Sequence, residues 1–388
     1  MKKLNDGILA IKPSQTLAIS SLAKQMVEEG HPVCNFSAGE PDFDTPELIK
    51  QAAITALLQG KTKYTPVAGV PKLCQAIAEK LKRTNGLEYT PSQIIVSCGG
   101  KHALALIFQT LLNPGDEVLI PAPFWLSYPE MVRVAGGKPV FIHTTSDQGF
   151  KITPQHIECL VGPSTKAIVI NSPSNPTGVM YSPEELRALG ETALKHDITI
   201  VSDEIYEEMV YDGLKQVSAA SFSKDFYDNT ILVNGFSKTY SMTGWRLGYT
   251  AGPAHFIKAM NALQSHCASA PNTFAQWGAI AALEQGATSA SEMVTAFDAR
   301  RRRIYALMSA IPGVKCVKPN GAFYIFPDIS SFGLDSVAFS KRLLEQEHVA
   351  VVPGVAFGAD ACVRLSYACS MEEIEDGMKR FARFCDTL

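Results

Sequence analysis

Three short runs between residues 166 and 234 set the architecture: Lys166-Ala-Ile-Val-Ile-Asn171, Thr199-Ile-Val-Ser-Asp203 and Thr230-Ile-Leu-Val-Asn234. Each is apolar at consecutive rather than alternate positions, the pattern of a strand covered on both faces. Between the first two lies Pro183–His196, with helical periodicity and turn residues at its ends. Strand, helix and strand at this spacing predict a parallel sheet flanked by helices. Toward the N-terminus the series continues through Gln93–Cys98, Glu117–Pro121 and Lys138–Ile142. The segment His102–Leu112, closed by Asn113-Pro114-Gly115, supplies another helix. The predicted α/β unit spans residues 46–288.

Past residue 289 the pattern changes. Ser291–Ala310 reads as a long charged helix, followed by a strand pair around Val314–Val317 and Phe323–Phe326. A helix near Val337–Glu347, strands at Val349–Pro353 and Val363–Tyr367, and a C-terminal helix complete a smaller α+β unit. Residues 1–45 show little core-forming pattern. They are expected to run as an arm against the small domain (289–388) or a partner subunit.

Bulk properties narrow the function classes. A chain of 388 residues suits one large domain and a smaller one, and 46% hydrophobic with 19% charged residues is a globular balance. The net charge of -3 makes nucleic acid a poor expected partner. The dense basic run, Arg300 to Arg303, is expected to be a solvated helix face. Nine cysteines scattered from Cys34 to Cys385 without a CxxC pair argue against a disulfide framework or zinc site and for a reducing compartment. The start, MKKLNDGILAIKP, has too short an apolar segment for a signal peptide, and no run reaches membrane-span length. The expected location is cytoplasmic, with no membrane partner.

Polar residues recur at one kind of place. Trp125, Asn175, Asp203 and Lys238 each lie just past the carboxyl end of a predicted strand, where open α/β sheets bind ligands. One aromatic, one amide, one carboxylate and one amine thus reach the same rim. Pyridoxal phosphate chemistry needs this set: a lysine for the Schiff base and a carboxylate to keep the pyridine nitrogen protonated. An aromatic ring to stack on and a donor to the phenolic oxygen complete it. The histidines show no metal-ligand spacing, and no metal is expected. Cys98-Gly99-Gly100-Lys101 joins a strand to a helix, where free N–H groups can meet a phosphate. Ser237 and Arg246 add to that seat.

Several segments carry a resemblance to a known family. Asn171-Ser-Pro-Ser-Asn-Pro-Thr-Gly178, Ser202-Asp-Glu-Ile-Tyr206 and Asn234-Gly-Phe-Ser-Lys-Thr-Tyr-Ser-Met-Thr-Gly-Trp-Arg-Leu-Gly248 resemble the class I aminotransferases of pyridoxal phosphate fold type I. So do Gly39-Glu-Pro-Asp-Phe-Asp-Thr-Pro46, Lys63-Tyr-Thr-Pro66 and Arg364-Leu-Ser-Tyr367. Within the class the chain is similar to the bacterial Iβ aspartate aminotransferases, through Lys12-Pro-Ser-Gln-Thr16 and Gly99-Gly-Lys101. The resemblance runs nearly end to end and implies a mostly parallel seven-stranded sheet plus a smaller α+β domain.

It also implies roles. Lys238 would carry the cofactor and act as acid and base in the 1,3-proton shift, with Asp203 on the pyridine nitrogen. Tyr206 and Asn175 would bond the phenolic oxygen, and Trp125 would stack on the ring. The turn at Gly99, the Gly100 and Lys101 amides, Ser237 and Arg246 would seat the phosphate. Tyr64 would reach in from a neighbouring subunit, which implies a homodimer. Arg364 would fork onto the substrate α-carboxylate, a geometry that suits guanidinium, and Gly39 would line the pocket. Lys101 and Thr16 near the distal carboxylate imply aspartate and glutamate with their oxo acids, and Lys12 belongs to the pattern that goes with prephenate. Aromatic or neutral amino-acid transamination and C–S lyase chemistry on the same fold stand as alternatives. Two departures are Gly235, where many relatives have serine, and Ser174, where asparagine is more usual.

Overall fold

The computed structural model describes residues 4, 6–9, 11 and 15–388. Its strands in chain order are β1 (Cys34–Asn35), β2 (Ile94–Ser97), β3 (Glu117–Ala122), β4 (Lys138–His143), β5 (Thr165–Asn171) and β6 (Thr199–Asp203). They continue with β7 (Thr230–Gly235), β8 (Gly248–Ala251), β9 (Tyr324–Ile325), β10 (Val349–Ala350), β11 (Val352–Pro353) and β12 (Val363–Ser366). Seven of them form one sheet in the order β2-β8-β7-β6-β5-β3-β4. All adjacent pairs from β7 to β4 are parallel, whereas β8 runs antiparallel to both its neighbours.

The consecutive apolar residues are explained by the two layers they enter. Val169, Val201, Ile231 and Val233 pack on one face against Ile107, Phe108, Ile257 and Met260. Their sequence neighbours Ile168, Ile170 and Ile200 pack on the opposite face against Leu186, Leu189 and Phe226. Burying each such side chain stabilises the fold by about 1.5–3 kcal/mol. The helices Gly100–Leu111 and Pro183–Lys195 thus cover opposite faces of the sheet.

β8 is the strand that the six apolar runs do not include. Its residues, Gly248-Tyr-Thr-Ala251, offer no apolar run and begin with glycine. It is paired on both edges and buried throughout, so tertiary context overrides weak local preference.

The smaller unit holds the sheet β11-β12-β9 and the parallel pair β1-β10, with the helices Ala287–Ser309, Ser336–Glu347 and Met371–Cys385. Three sequence expectations need correction here. The segment expected as a strand at Val314–Val317 forms only an isolated bridge, Lys315 to Asp328. The single strand expected over Val349–Pro353 is divided into β10 and β11, which join different partners. Residues 15–36, expected to lack a core pattern, hold the helix Gln15–Glu28 and β1. Phe36 is fully buried in a notch of the C-terminal helix at Gly377, where a Cβ would come within 2.4 Å of its ring.

The basic run also departs from expectation. Arg302 and Arg303 are exposed, but Arg301 is wholly buried and bonded to Asp212, Asp298 and the Pro319 carbonyl. Arg300 makes a bidentate pair with Asp42 at 2.7 and 2.9 Å. With Arg303 paired to Glu375, three of the four arginines therefore tie distant chain segments together. Among the described residues, no helix is long and apolar enough to cross a membrane.

Candidate active site

Because β3, β5, β6 and β7 are parallel, their carboxyl ends share one edge of the sheet. A cavity of about 1360 Å³ opens there, and its walls include Trp125, Asn175, Asp203 and Lys238 from the segments that leave those strands. Gly39, Gly100, Lys101, Tyr206, Ser237, Arg246 and Arg364 line the same cavity.

Asp203 is the last residue of β6 and is 4% exposed. Its carboxylate accepts from the Tyr128 hydroxyl at 2.5 Å and from the Ile205 N–H at 3.3 Å. Burial raises its pKa to about 6 against the pull of those two donors. A buried carboxylate with neutral donors alone is poorly compensated, and a protonated ring nitrogen would supply the missing cation.

Lys238 follows β7 by three residues and donates to the Gly39 carbonyl. Its amine lies 5.6 Å from the Phe323 ring centroid and 6.0 Å from that of Tyr206. Burial lowers its pKa to about 8, opposed by Glu40 and helped by the nearby cations Arg364, Arg246 and Lys101. A substantial neutral fraction near pH 8 is what a lysine nucleophile or base requires.

The turn from β2 into the helix Gly100–Leu111 is built around close approach. Gly99 has φ +88°, and a Cβ on it would sit 2.6 Å from the Arg246 guanidinium. A Cβ on Gly248 of β8 would sit 2.4 Å from the Gly100 nitrogen. Glycines thus let β8 and Arg246 pack directly against the helix start, where unpaired N–H groups and the helix dipole favour an anion. Arg246 Nη1 is anchored on the Thr243 carbonyl at 2.8 Å. Gly235 has its own reason: a Cβ there would meet the Leu247 carbonyl oxygen at 3.0 Å and Gly248 Cα at 3.1 Å.

Arg364, on β12, is 3% exposed. Nη1 donates to Asn175 Oδ1 at 3.1 Å and Nη2 to the Ser37 carbonyl at 3.0 Å, while Nε has no partner among the described residues. The guanidinium lies between the rings of Tyr324 at 4.5 Å and Phe357 at 5.1 Å. No carboxylate of the described residues pairs with it, and burial pushes its pKa down. A buried cation held only by neutral oxygens is suited to receive a carboxylate from outside the chain.

Other predicted residues are placed differently. Lys101 sets its amine 5.1 Å over the Trp125 ring, at the edge of the cavity. Tyr64 is 96% exposed and not part of the cavity wall. Lys12 and the Thr16 side chain lie outside the described residues. Two residues that sequence reasoning missed are Tyr128, bonded to Asp203, and Tyr324, whose hydroxyl is 2.9 Å from that of Tyr206. Tyr128 lies three residues past Trp125, a spacing that could have flagged it; Tyr324 gave no signal beyond an apolar run.

These features fit pyridoxal phosphate: an uncompensated buried carboxylate for its ring nitrogen, a depressed lysine for its aldehyde, and a glycine-lined helix start for its phosphate. Comparison with known proteins agrees. The family described as aminotransferase class I and II matches residues 31–381. An aspartate aminotransferase of Bacillus subtilis is 51% identical over 99% of both chains. An aspartate/prephenate aminotransferase of Thermus thermophilus is 46% identical, again over 99% of both. The solved structure of Thermus thermophilus aspartate aminotransferase with maleate superposes with a TM-score of 0.95 at 45% identity, covering 99% of this chain and 100% of that one. The chain belongs to the class I and II aminotransferases.

Proposed function

We propose that the protein is a pyridoxal-phosphate-dependent aminotransferase that moves the amino group of L-aspartate to 2-oxoglutarate, giving oxaloacetate and L-glutamate. The observation that carries this reading is Arg364, buried without a counter-ion among the described residues, on the wall of a cavity shared by Lys238 and Asp203. When bound, the cofactor supplies an electron sink for the carbanion at the substrate Cα. Lys238 Nζ would anchor it, Asp203 would hold the proton on its ring nitrogen, and Tyr206 with Asn175 would bond its phenolic oxygen. Trp125 would cover one ring face, while Gly99, the Gly100 and Lys101 amides, Ser237 and Arg246 would seat the phosphate.

The chain's own part in catalysis is positioning and proton transfer. Arg364 orients the α-carboxylate with Asn175 bracing its fork, and Gly39 leaves room beside it. Lys238 Nζ, partly neutral at pH 8, would take the Cα proton and, as ammonium, hold it for return in the 1,3-proton shift. Lys101 at the cavity edge would meet the distal carboxylate of an acidic substrate, with Thr16 and Lys12 as further contacts. Prephenate is a second acceptor in this reading, supported by the similarity to the aspartate/prephenate aminotransferase of Thermus thermophilus. A homodimer, in which Tyr64 of each copy completes the other's phosphate seat, would explain a tyrosine left almost wholly in solvent.

The test is incubation of the cofactor-loaded protein with L-aspartate and 2-oxoglutarate. Glutamate and oxaloacetate in equal amounts are expected. No glutamate, together with a thiol, a 2-oxo acid and ammonia released from thioether amino acids, would replace the reading with a C–S lyase.

A further inference from the structure

We propose that Tyr324 is a positioning residue joining the two halves of the site: its ring holds the Arg364 fork, and its hydroxyl, donating to the Tyr206 oxygen, aims the Tyr206 proton into the cavity. The inference rests on the pyridoxal phosphate reading above. Tyr324 is fully buried on β9, where it pairs with Ser366 of β12. Antiparallel register makes Arg364, two residues before Ser366, its diagonal neighbour on the same face. The guanidinium carbon accordingly lies 4.5 Å from the ring centroid, with Phe357 on its other side. This stacking fixes the plane of the fork and hence the plane in which a carboxylate can bind.

At its other end the same side chain meets Tyr206, from the turn after β6. The two rings are edge to face at 82°, and their hydroxyls are 2.9 Å apart. Two hydroxyls sharing one hydrogen bond leave one proton free, so direction matters. Both tyrosines line the cavity, and the Tyr324 oxygen packs beside Gly39, where a Cβ would stand 3.6 Å away, with Tyr206 as its hydrogen-bond partner. The Tyr206 ring, by contrast, faces the Lys238 amine at 6.0 Å. A bond donated into the Tyr206 oxygen strengthens the outward O–H as a donor, since linked hydrogen bonds polarise one another. One residue on the small sheet thereby serves both the carboxylate clamp and the cofactor's phenolic oxygen.

The experiment uses cofactor-loaded protein with Tyr324→Phe, Tyr324→Leu, Tyr206→Phe and the double variant Tyr206→Phe/Tyr324→Phe. The readouts are the pH midpoint of the bound cofactor's absorbance change and the affinity for succinate, a dicarboxylate that cannot react. Tyr324→Phe keeps the ring and should raise the midpoint by about half to one pH unit, the size of one neutral hydrogen bond. Its succinate affinity should stay within about twofold, whereas Tyr324→Leu should weaken succinate about fivefold or more. In the Tyr206→Phe background, Tyr324→Phe should add no further shift. An unmoved midpoint in Tyr324→Phe, or an equal shift without the Tyr206 hydroxyl, would overturn the proposal. If the leucine variant does not fold, the phenylalanine pair still decides the hydroxyl's role. Wild-type protein that takes up no cofactor would instead sink the underlying reading.

Discussion

At the scale of single residues, the site is a set of buried charges, each lacking its natural partner. Among the described residues, Arg364 is a cation without a carboxylate, and Asp203 is a carboxylate without a cation. Replacing Arg364 by lysine trades a planar fork for a point charge. Steady-state kinetics of Arg364→Lys should show KM for aspartate rising about 10- to 100-fold, the loss of one or two charge-assisted bonds, with the bound-cofactor absorbance unchanged. An unchanged KM would remove Arg364 from the substrate role. Lys238 gives a pH prediction: because its folded pKa lies near 8, below the ordinary 10.5, the neutral amine forms as pH rises through about 8. The rate of cofactor uptake by cofactor-free protein, followed by absorbance, should climb over that window and level off above it. A rate still climbing at pH 10 would show an unperturbed amine. Lys238, Asp203, Asn175 and Arg364 were legible because polar residues just past apolar strands, or within a motif, stand out. Tyr128 and Tyr324 were not, because a buried tyrosine in an apolar run looks like core until its hydroxyl partner is known.

At the scale of elements, β8 matters most. It inserts antiparallel between β7 and β2 and brings Gly248 against the first turn of the phosphate-seating helix. Gly248→Ala would put a methyl group 2.4 Å from the Gly100 nitrogen, so strand and helix must part. Cofactor affinity, measured by titration of the cofactor-free variant, should fall about tenfold or more, as overpacking costs of 1–3 kcal/mol imply. Affinity equal to wild type would show that the helix start does not seat the phosphate. The strands β5, β6 and β7 were readable because they are apolar on both faces. β8 was not, since its stability comes from being paired on both edges rather than from its own side chains. The division of residues 349–353 was hidden for a related reason: Val349, Val351 and Val352 are all fully buried, and burial alone does not reveal a change of strand partner.

At the scale of the whole molecule, the buried Arg301 network links the helix Ala287–Ser309 to the loop at Asp212, which follows β6 in the chain. Arg301 and Lys318 hold the Asp212 carboxyl well below the usual carboxylate range. A depressed carboxylate contributes stability above its unfolded pKa near 4, and that contribution is lost as pH falls below it. Arg301→Met removes the buried partner of Asp212 and Asp298 and leaves the Pro319 carbonyl unpaired, while Lys318 and Arg302 still pair the two carboxylates, so it should cost about 1–3 kcal/mol in chemical denaturation. A cost under about 1 kcal/mol would mean that the network is structurally idle. The run Arg300–Arg303 did not reveal this network, because its partners Asp42 and Asp212 are distant in sequence.

The central claim, that these charges assemble an aminotransferase site for an acidic amino acid, is tested most directly by a single half-reaction. Cofactor-loaded protein is mixed with L-aspartate alone, and absorbance is followed while oxaloacetate is assayed. The account predicts loss of the lysine-bound cofactor absorbance with one oxaloacetate released per site, abolished by Lys238→Ala. An unchanged spectrum with aspartate, beside full conversion by a neutral or aromatic amino acid, would contradict it.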